Sequence, residues 1–308
     1  MKFSVTYPLI AHPCDPEFLE KRNVIRFAQA AEAAGFDAIG FTDHPAPTEK
    51  WLRHGGHDAL DPFVALAFCA AVTERIRLMP NIVVLPYRNP FLLAKSIASL
   101  DVLSEGRFIL ATAAGYLRAE YEALGVDFEE RNELFDEAIQ ALKGIWSTDS
   151  FDFDGRHFRG RGLTANPKPR QEPHPPIWIG GNSRRARRRV ARYAQGWTPF
   201  HAPAAMARTT KTPVLETHEH LRGFLDELWK MCEEERRDRS EIDVHFHNDS
   251  GGSPADPKFE VGAHLAGIRE LAGMGVTWIG VGTPGDGIDH AIETLARYGE
   301  EVIAVSRR

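Results

Sequence analysis

The sequence is poor in cysteine and has no long apolar run. Its three cysteines, Cys14, Cys69 and Cys232, are widely spaced and form no CxxC pair, which excludes a disulfide framework and a thiolate zinc site. No window approaches about 18 uninterrupted apolar residues, so no membrane-spanning helix is predicted. The opening residues MKFSVTYPLI lack the basic segment and apolar core of a signal peptide. We therefore expect a soluble, cytoplasmic protein that has no membrane partner.

Positive charge is also in deficit. The 37 Lys and Arg residues stand against 43 Asp and Glu, so the broad basic field that nucleic acid requires is missing. The exception is RRARRR at 184–189, which we interpret as a helix with Arg188 and Arg189 on its solvated face. Arg184 and Arg185 fall in its first turn, where cations oppose the helix dipole. A phosphate bound there would reverse that effect, so we predict that this turn forms the rim of a phosphate site.

Short apolar or β-branched runs alternate with longer segments of helical period. The runs lie at 3–7, 37–42, 76–85, 107–112, 177–180, 196–200, 241–247 and 276–282. Eight strand–helix cycles predict an α/β fold, a (β/α)8 TIM barrel formed as a single domain over residues 1–308. Residues 151–176, rich in Gly, Pro and Arg, are expected to be an insertion after the fourth βα unit with little regular structure. A doubly wound sheet is the alternative, but its GxGxxG turn is absent after the first strand.

Barrel chemistry belongs at the carboxyl ends of the strands. Asp43 and His44 end the second strand, and His44 is the best acid–base candidate because imidazole titrates near neutrality. The alternative is a loop histidine bonded to nearby backbone. His245-x-His247 on the seventh strand has a spacing that can bind a metal, which leaves a metal-dependent barrel hydrolase using these histidines and Asp43 as an alternative. The pattern is weak, and we predict no metal site.

Glycines at two strand ends suggest that a ligand approaches the backbone closely. Gly115 follows the fourth strand, and Gly180 and Gly181 end the fifth; only a residue without Cβ permits such an approach. The alternative at each position is a tight turn between strand and helix. Ser183 is a plausible N-cap of the arginine-rich helix, whose free N–H groups also form an anion site.

Several blocks of the sequence resemble the bacterial luciferase-like superfamily, and more closely its branch that depends on the deazaflavin coenzyme F420. The blocks follow the family's order and cover most of residues 1–200: AAEAAGFDAIGFTDH, RIRLMPNIVVLPYRNPFLLAKSIASLDVLSEGRF, AAGYLRAEYEALGVDFEERNELFDEAI, PHPPIWIGGNS and ARYAQGWTPF. The YRNP block with the LSEGR helix end is specific for the superfamily. It is less specific for the cofactor.

The resemblance implies a deazaflavin or flavin ring in the barrel mouth. The ring would lie against a bulge on the third strand, where family members often have a non-proline cis peptide, here near Asn81-Ile82. His44 matches the histidine that sits beside ring and substrate. The cofactor's phosphate would lie on the fourth- and fifth-strand loops. The cofactor-binding residues expected here are Tyr7, Asn81, Ile82, Ala114, Gly115, Tyr116, Gly180, Gly181, Asn182 and Ser183.

The chain departs from the family's pattern in two places. The usual glycine-x-glycine after the fourth strand reads Ala113-Ala114-Gly115, so a methyl group occupies space normally left to the cofactor. Sugar-phosphate dehydrogenases of this branch have a tryptophan shortly after the DH pair and a glutamate where Tyr116 stands. Trp51 is too far along the chain, and the glutamate is missing. Glucose-6-phosphate is therefore not the expected substrate.

The predicted function is coenzyme F420-dependent hydride transfer to or from a small organic substrate. His44 would transfer the proton, with Asp43 orienting it. An FMN-dependent, luciferase-like monooxygenase that uses O2 is the alternative, because both cofactors share the ring site. A non-catalytic flavin-binding carrier is a further one. The resemblance also implies a homodimer. The substrate itself has no decodable motif.

Overall fold

The computed structural model describes residues 1–307 and shows an α/β fold. Its strands are β1 (Lys2–Thr6), β2 (Ala38–Gly40), β3 (Arg77–Leu78), β4 (Val83–Val84), β5 (Leu110–Ala113), β6 (Phe151–Asp154), β7 (Arg159–Leu163), β8 (Ile177–Gly180), β9 (Gly196–Thr198), β10 (Asp243–His247) and β11 (Trp278–Val281). Within these residues, nine strands form one parallel sheet in the order β3-β2-β1-β11-β10-β9-β8-β5-β4.

Helices surround the sheet. They are α1 (Lys21–Ala33), α2 (Glu49–Arg53), α3 (Pro62–Ala70), α4 (Pro90–Leu103), α5 (Arg118–Ala123), α6 (Arg131–Ser147), α7 (Arg184–Tyr193), α8 (Ala204–Thr210), α9 (His218–Glu234), α10 (Val261–Met274), α11 (Ile288–Tyr298) and α12 (Ala304–Ser306). Side-chain caps fix several starts: Asn89 accepts the N–H groups of Phe91 and Leu92, as the Asn-Pro pair predicts. Among residues 1–307, every helix is too short or too polar to span a bilayer.

The predicted third strand is divided into β3 and β4, and the Asn81–Ile82 peptide bond between them is cis, as the resemblance implies. Near this point the outer strand β3 bonds to the residues that lead into β5. Leu78 in β3 forms a parallel bridge with Phe108, two residues before β5. The sheet therefore curls back on itself, and side chains that alternate along each strand point into its centre.

The centre of the curled sheet is packed solid. Its cluster contains Ala38, Met79, Ile109, Ala111, Trp178 and Trp278, all buried. The two indole rings meet edge to face, with centroids 5.2 Å apart. Glycine at 196 makes room for the first of them, because a Cβ there would lie 2.4 Å from the Trp178 ring. Space for a ligand is consequently confined to the ends of the strands.

The 151–176 segment is more regular than predicted. β6 and β7 form an antiparallel hairpin that packs along α6. Glu137 on α6 accepts the backbone N–H groups of His157 and Phe158 as well as the His157 Nδ1 hydrogen bond at 2.7 Å. The sequence did not predict this hairpin, because its strands are short and rich in glycine and arginine. They show no clear alternation of apolar and polar residues, and the ribbon depends on its packing against α6.

The outer faces of α3 and α4 differ from those of the other helices. Val64, Phe68, Leu92 and Leu103 are large apolar side chains exposed there. α7 and α9, in contrast, face solvent through a network of arginine and glutamate pairs.

Candidate active site

His44 lies just beyond β2, in a pocket of aromatic side chains. Its imidazole is 13% exposed. The loop after β2 folds back over it, so that ring centroids of Trp51 and His57 lie 4.5 and 5.1 Å away, and Tyr116 lies 6.4 Å away. Trp51 is therefore beside His44 in space, although seven positions separate them in the sequence. These rings keep bulk water away from the imidazole.

Glu120 on α5 is the carboxylate that contacts His44. Its side chain is fully buried, and Oε2 lies 3.3 Å from His44 Nδ1. The Tyr87 hydroxyl donates to the same oxygen at 2.8 Å, and the Ala46 N–H donates to Oε1 at 3.3 Å. Burial, followed by the charge of Glu120, raises the pKa of Tyr87, so this phenol stays protonated as a donor. A carboxylate this deep needs such donors to offset the cost of leaving water.

The contact with Glu120 determines which ring nitrogen of His44 is left without a partner. Because a carboxylate only accepts hydrogen bonds, Nδ1 carries a proton and Nε2 is the ring nitrogen left to exchange one. Sequence reasoning missed Glu120. The signal was present inside the AEYEALG block, but α5 is only 6 residues long, too short for a helical period to mark Glu120 as buried.

The expected orienting role of Asp43 is not what the structure shows. Its buried carboxylate binds Arg88 through two hydrogen bonds of 2.6 and 2.9 Å and accepts the Val84 N–H at 2.9 Å. Arg88 also reaches Asp61 at 3.2 Å. Burial alone would lower the pKa of Arg88, but the Asp43 contacts outweigh it and raise that pKa. Asp43 thus ties the segment after β2 to β4 and to the turn that precedes α4, while Glu120 contacts the imidazole.

His245 and His247 lie on β10, toward its carboxyl end, and the hydrogen bonds of His245 are made to hydroxyl groups of neighbouring strands rather than to a metal ion. His245 Nε2 is 2.7 Å from Ser4 Oγ, and Nδ1 is 3.0 Å from Thr198 Oγ1. Burial, and then the neighbouring His247, lowers the pKa of His245 to about 3, so its ring is neutral. Within residues 1–307, no three His, Cys, Asp or Glu side chains gather closely enough to hold a metal ion.

The neutral His245 makes stability depend on pH. Its pKa is about 3 in the fold, while an unfolded histidine titrates near about 6.5. The unfolded state therefore binds a proton that the folded state does not, and stability falls as the pH drops from about 6.5 toward 3; linkage puts the loss between pH 7 and pH 5 at about 2 kcal/mol. We expect His245→Asn to remove this share of the pH dependence, measured by urea unfolding at both pH values. An unchanged dependence would contradict a neutral, buried His245.

Tyr7 is a core residue, contrary to its expected role in cofactor binding. It is 2% exposed, and its hydroxyl donates to the Phe18 carbonyl at 2.8 Å. Its ring packs against Phe18, Phe27 and Phe41. Side chains of successive residues in β1 point to opposite faces of the sheet, so Thr6 faces the barrel mouth and Tyr7 faces the core. There the Asn81 side-chain amide donates to Thr6 Oγ1 at 2.9 Å.

The three glycines that were predicted to contact the cofactor are required for different structural reasons. A Cβ at Gly115 would fall 2.5 Å from Val84 Cγ1, and one at Gly180 would fall 2.5 Å from Ile82 Cδ1. Protein packing therefore accounts for both. Gly181 has φ of +104°, and a Cβ there would meet no atom of residues 1–307 within 4 Å, apart from its chain neighbours. Only Gly181 of the three opens onto free space.

The side chains of Asn182 and Ser183 are engaged within the protein. Asn182 is fully buried; its amide donates to the Phe200 carbonyl at 2.9 Å and accepts the Phe200 N–H at 3.0 Å. Ser183 accepts the Ala186 N–H at 3.1 Å as the N-cap of α7. The Ala114 carbonyl is likewise bonded, by the Tyr121 hydroxyl. Tyr116 is different, because 40% of it remains exposed next to His44.

The arginines of α7 are less solvated than predicted. Arg189, expected on the solvated face, is 7% exposed and binds Asp136 through two hydrogen bonds while stacking on Phe135. Arg187 is buried over Phe224 in the same way. Arg184 pairs with Glu227 at 2.7 Å, a carboxylate that it shares with Arg187. An anion at the start of α7 would thus depend on backbone N–H groups more than on these side chains.

Comparison with known proteins agrees with this architecture. The FMNH(2)-dependent dimethylsulfone monooxygenase of Pseudomonas putida is 33% identical over 171 residues, 54% of this chain and 45% of that protein. This chain thus matches about half the length of that curated relative. The crystal structure of monooxygenase RslO1 from Streptomyces bottropensis superposes with a TM-score of 0.82, at 20% identity and 99% coverage of both chains.

A second solved structure has the same fold. It is an F420-dependent secondary alcohol dehydrogenase in complex with an F420-acetone adduct, with a TM-score of 0.75, 16% identity, and coverage of 99% of this chain and 98% of that one. The sequence profile of luciferase-like monooxygenases matches residues 10–245, which confirms the resemblance to the luciferase-like superfamily but does not test its F420-dependent branch. This protein therefore belongs to the luciferase-like monooxygenase family, a family of oxidoreductases.

Proposed function

We propose that this chain catalyses a two-electron redox reaction on a small organic substrate, with the deazaflavin coenzyme F420 bound in the barrel mouth. The observation that carries the proposal is the His44 site. Its imidazole is shielded by aromatic rings, held at Nδ1 by the buried Glu120, and left with Nε2 free. A positioned imidazole with one free ring nitrogen can act as a general acid or base.

The mouth has features that suit a bound ring system. Gly181 opens onto free space, and the buried Thr283 Oγ1 at the end of β11 has no hydrogen-bond partner within residues 1–307. Such an orphaned hydroxyl is explained if a ligand completes it. Gly181, Thr283 and Tyr116 would hold the cofactor. When bound, the deazaflavin supplies the two-electron chemistry, and the protein supplies orientation and proton transfer.

The chain's own residues then have separate tasks. His44 Nε2 holds or removes the proton at the substrate atom that is oxidised or reduced. Glu120 and Tyr87 keep the imidazole in one orientation and one tautomer. Trp51 and His57 exclude water from the same volume, which strengthens each polar contact within it.

FMN is the second candidate cofactor, because the similar Pseudomonas putida protein is named as FMNH(2)-dependent. The choice is tested by titrating the purified chain separately with F420 and with FMN and following the fluorescence of each ring. We expect F420 to bind at least about tenfold more tightly, a difference of about 1.4 kcal/mol. Tighter binding of FMN would reverse the assignment and favour O2-dependent monooxygenation. Failure of both to bind would refute the redox proposal.

The homodimer stays a prediction. The apolar face formed by Val64, Phe68, Leu92 and Leu103 on α3 and α4 supports it, since soluble chains rarely expose such a surface without covering it.

A further inference from the structure

His57 is a second imidazole beside His44, and contacts outside its own loop fix its position. The two rings meet edge to face, with centroids 5.1 Å apart. Asp58, the next residue, is bound to the segment that follows β1: its carboxylate lies 2.7 Å from His12 Nδ1 and accepts the Cys14 N–H at 2.9 Å. His57 is thus held where it faces the proposed acid–base residue.

Trp51 and Gly56 fix the same loop from within. The Gly56 N–H donates to the Trp51 carbonyl at 3.0 Å, and a Cβ at Gly56 would lie 2.4 Å from the Trp51 ring. The indole therefore packs directly on the backbone of the residue before His57. Its ring centroid is 5.4 Å from that of His57 and 4.5 Å from that of His44, so both imidazoles share one aromatic enclosure.

The hydrogen bonds of the two imidazoles determine what their other nitrogens can do. His57 Nδ1 is 2.9 Å from the Asp58 carbonyl oxygen, which only accepts, so Nδ1 carries the proton. Burial lowers the pKa of His57 and outweighs this hydrogen bond, so the ring is neutral at pH 7. Its Nε2 is then an acceptor with no partner within residues 1–307. The contact with Glu120 leaves Nε2 of His44 in the same condition.

No cation accompanies these two acceptors. The other side chains that contact the rings are Glu120, Trp51 and Tyr116, and no lysine or arginine of residues 1–307 hydrogen-bonds to or packs on either imidazole. A carboxylate or phosphate group placed here would lie near Glu120 without a positive charge to offset it. The site therefore favours a neutral ligand that donates two hydrogen bonds.

We infer that the substrate is a neutral alcohol with a second hydroxyl group on the carbon next to the reacting one, and that His57 Nε2 accepts this second hydroxyl. The inference rests on the proposed redox function and names its substrate class. In oxidation, the C–H hydrogen of the reacting carbon leaves as hydride to the deazaflavin. The proton of its hydroxyl passes to His44 Nε2, and a C=O bond forms, which gives a hydroxyketone. His57 holds the neighbouring hydroxyl throughout.

The test compares propane-1,2-diol with butan-2-ol, which has a methyl group in place of the second hydroxyl and is otherwise of equal size. With the full chain and its cofactor, kcat/KM should be about 100-fold higher for the diol. The reason is that butan-2-ol leaves the His57 nitrogen unpaired in an enclosed site.

Variants of His57 assign this preference to its imidazole. His57→Phe keeps a ring beside Trp51 but removes the acceptor, so the ratio of the two kcat/KM values should fall to about one. His57→Gln returns a polar group to the same place and should restore part of the preference, which a purely structural role of the ring does not explain. The matched control, His54→Phe, makes the same change at an exposed histidine of this loop and should keep the full preference.

The outcomes separate this inference from the redox proposal. Equal kcat/KM for the two alcohols overturns the diol site and leaves the redox function standing, and a preference that survives His57→Phe overturns the role of His57. NMR titration gives a readout without turnover: propane-1,2-diol should shift the His57 ring proton signals, and butan-2-ol should not. If this difference is missing, the diol site is wrong; if it is present but neither alcohol reacts with either cofactor, the redox function is wrong instead.

Discussion

Replacing His44 with Ala is expected to lower kcat by about 10²–10⁴-fold, the usual contribution of a positioned acid or base. Affinity for the ring should change little, because the residues expected to hold it, Gly181, Thr283 and Tyr116, are not altered. The measurement follows deazaflavin absorbance with a panel of small alcohols, aldehydes and ketones, or O2 uptake if FMN proves to be the cofactor. A loss in kcat without a comparable loss in cofactor affinity identifies a group that acts on the reacting atoms.

His54→Ala is the matched control, since this exposed imidazole bonds only the Lys50 carbonyl in its own short helix. It should leave kcat unchanged.

Glu120→Gln tests the contact that supports His44. The Gln amide keeps the shape of the carboxylate but changes the acceptor that faces Nδ1. We expect a smaller drop in kcat, about tenfold, at constant KM, because the Gln amide still offers an oxygen to Nδ1; this is the lower end of the effect known for groups that orient metal-bound histidines. Full turnover in His44→Ala would refute the acid–base assignment, and unchanged kcat in Glu120→Gln would refute the orienting role.

Replacing Arg88 with Met is expected to destabilise the fold by about 3–5 kcal/mol, because it leaves the Asp43 carboxylate buried without its cation. Met keeps much of the volume of the aliphatic stem, so the effect reports the lost charge pair more than a cavity. The quantity to measure is the free energy of unfolding in urea at pH 7. In a chain of ordinary stability, a loss of this size is a large part of the whole.

Arg53→Met provides the comparison, because Arg53 pairs with Glu49 on the surface, where both side chains are about 70% exposed. Such pairs contribute about 0–1 kcal/mol. If Arg88→Met cost no more than Arg53→Met, Asp43 would have to be solvated or otherwise paired, and its structural role would be wrong. A catalytic Asp43 would instead show itself as lost turnover at unchanged stability.

Local signals in the sequence predicted most of the fold. Apolar runs depend on neighbours a few residues apart, so the strands of the large sheet appear close to their predicted positions. Asn89-Pro90 is one example: a cap acts within one turn, and α4 begins where the pair predicts. The cis peptide at Asn81-Ile82 was implied by the resemblance, whereas the division of the third strand into β3 and β4 was not predicted, since no local pattern in MPNIVVL marks it.

The site was harder to predict because its contacts span long distances in sequence. Asp43 and Arg88 are 45 residues apart, and His44 and Glu120 are 76 apart. In the sequence alone, the adjacent Asp43 and His44 suggest that the carboxylate hydrogen-bonds the imidazole next to it. In the fold, Asp43 binds Arg88 and His44 contacts Glu120. Arg189 shows the same difficulty: an arginine is expected in solvent until Asp136 and Phe135 are known to enclose it.

The placement of β1 bears on how the protein is made. β1 pairs with β2 on one side and with β11 on the other, so one edge of β1 stays unpaired until β11 has been synthesised. At synthesis rates of about 5–20 residues per second, roughly 15–60 s pass before residue 281 follows the first strand out of the ribosome. During that interval one edge of β1 has no partner and is a site for pairing with other nascent chains. Cellular yield should therefore depend on chaperones that shield this N-terminal edge, and slow translation should increase that dependence.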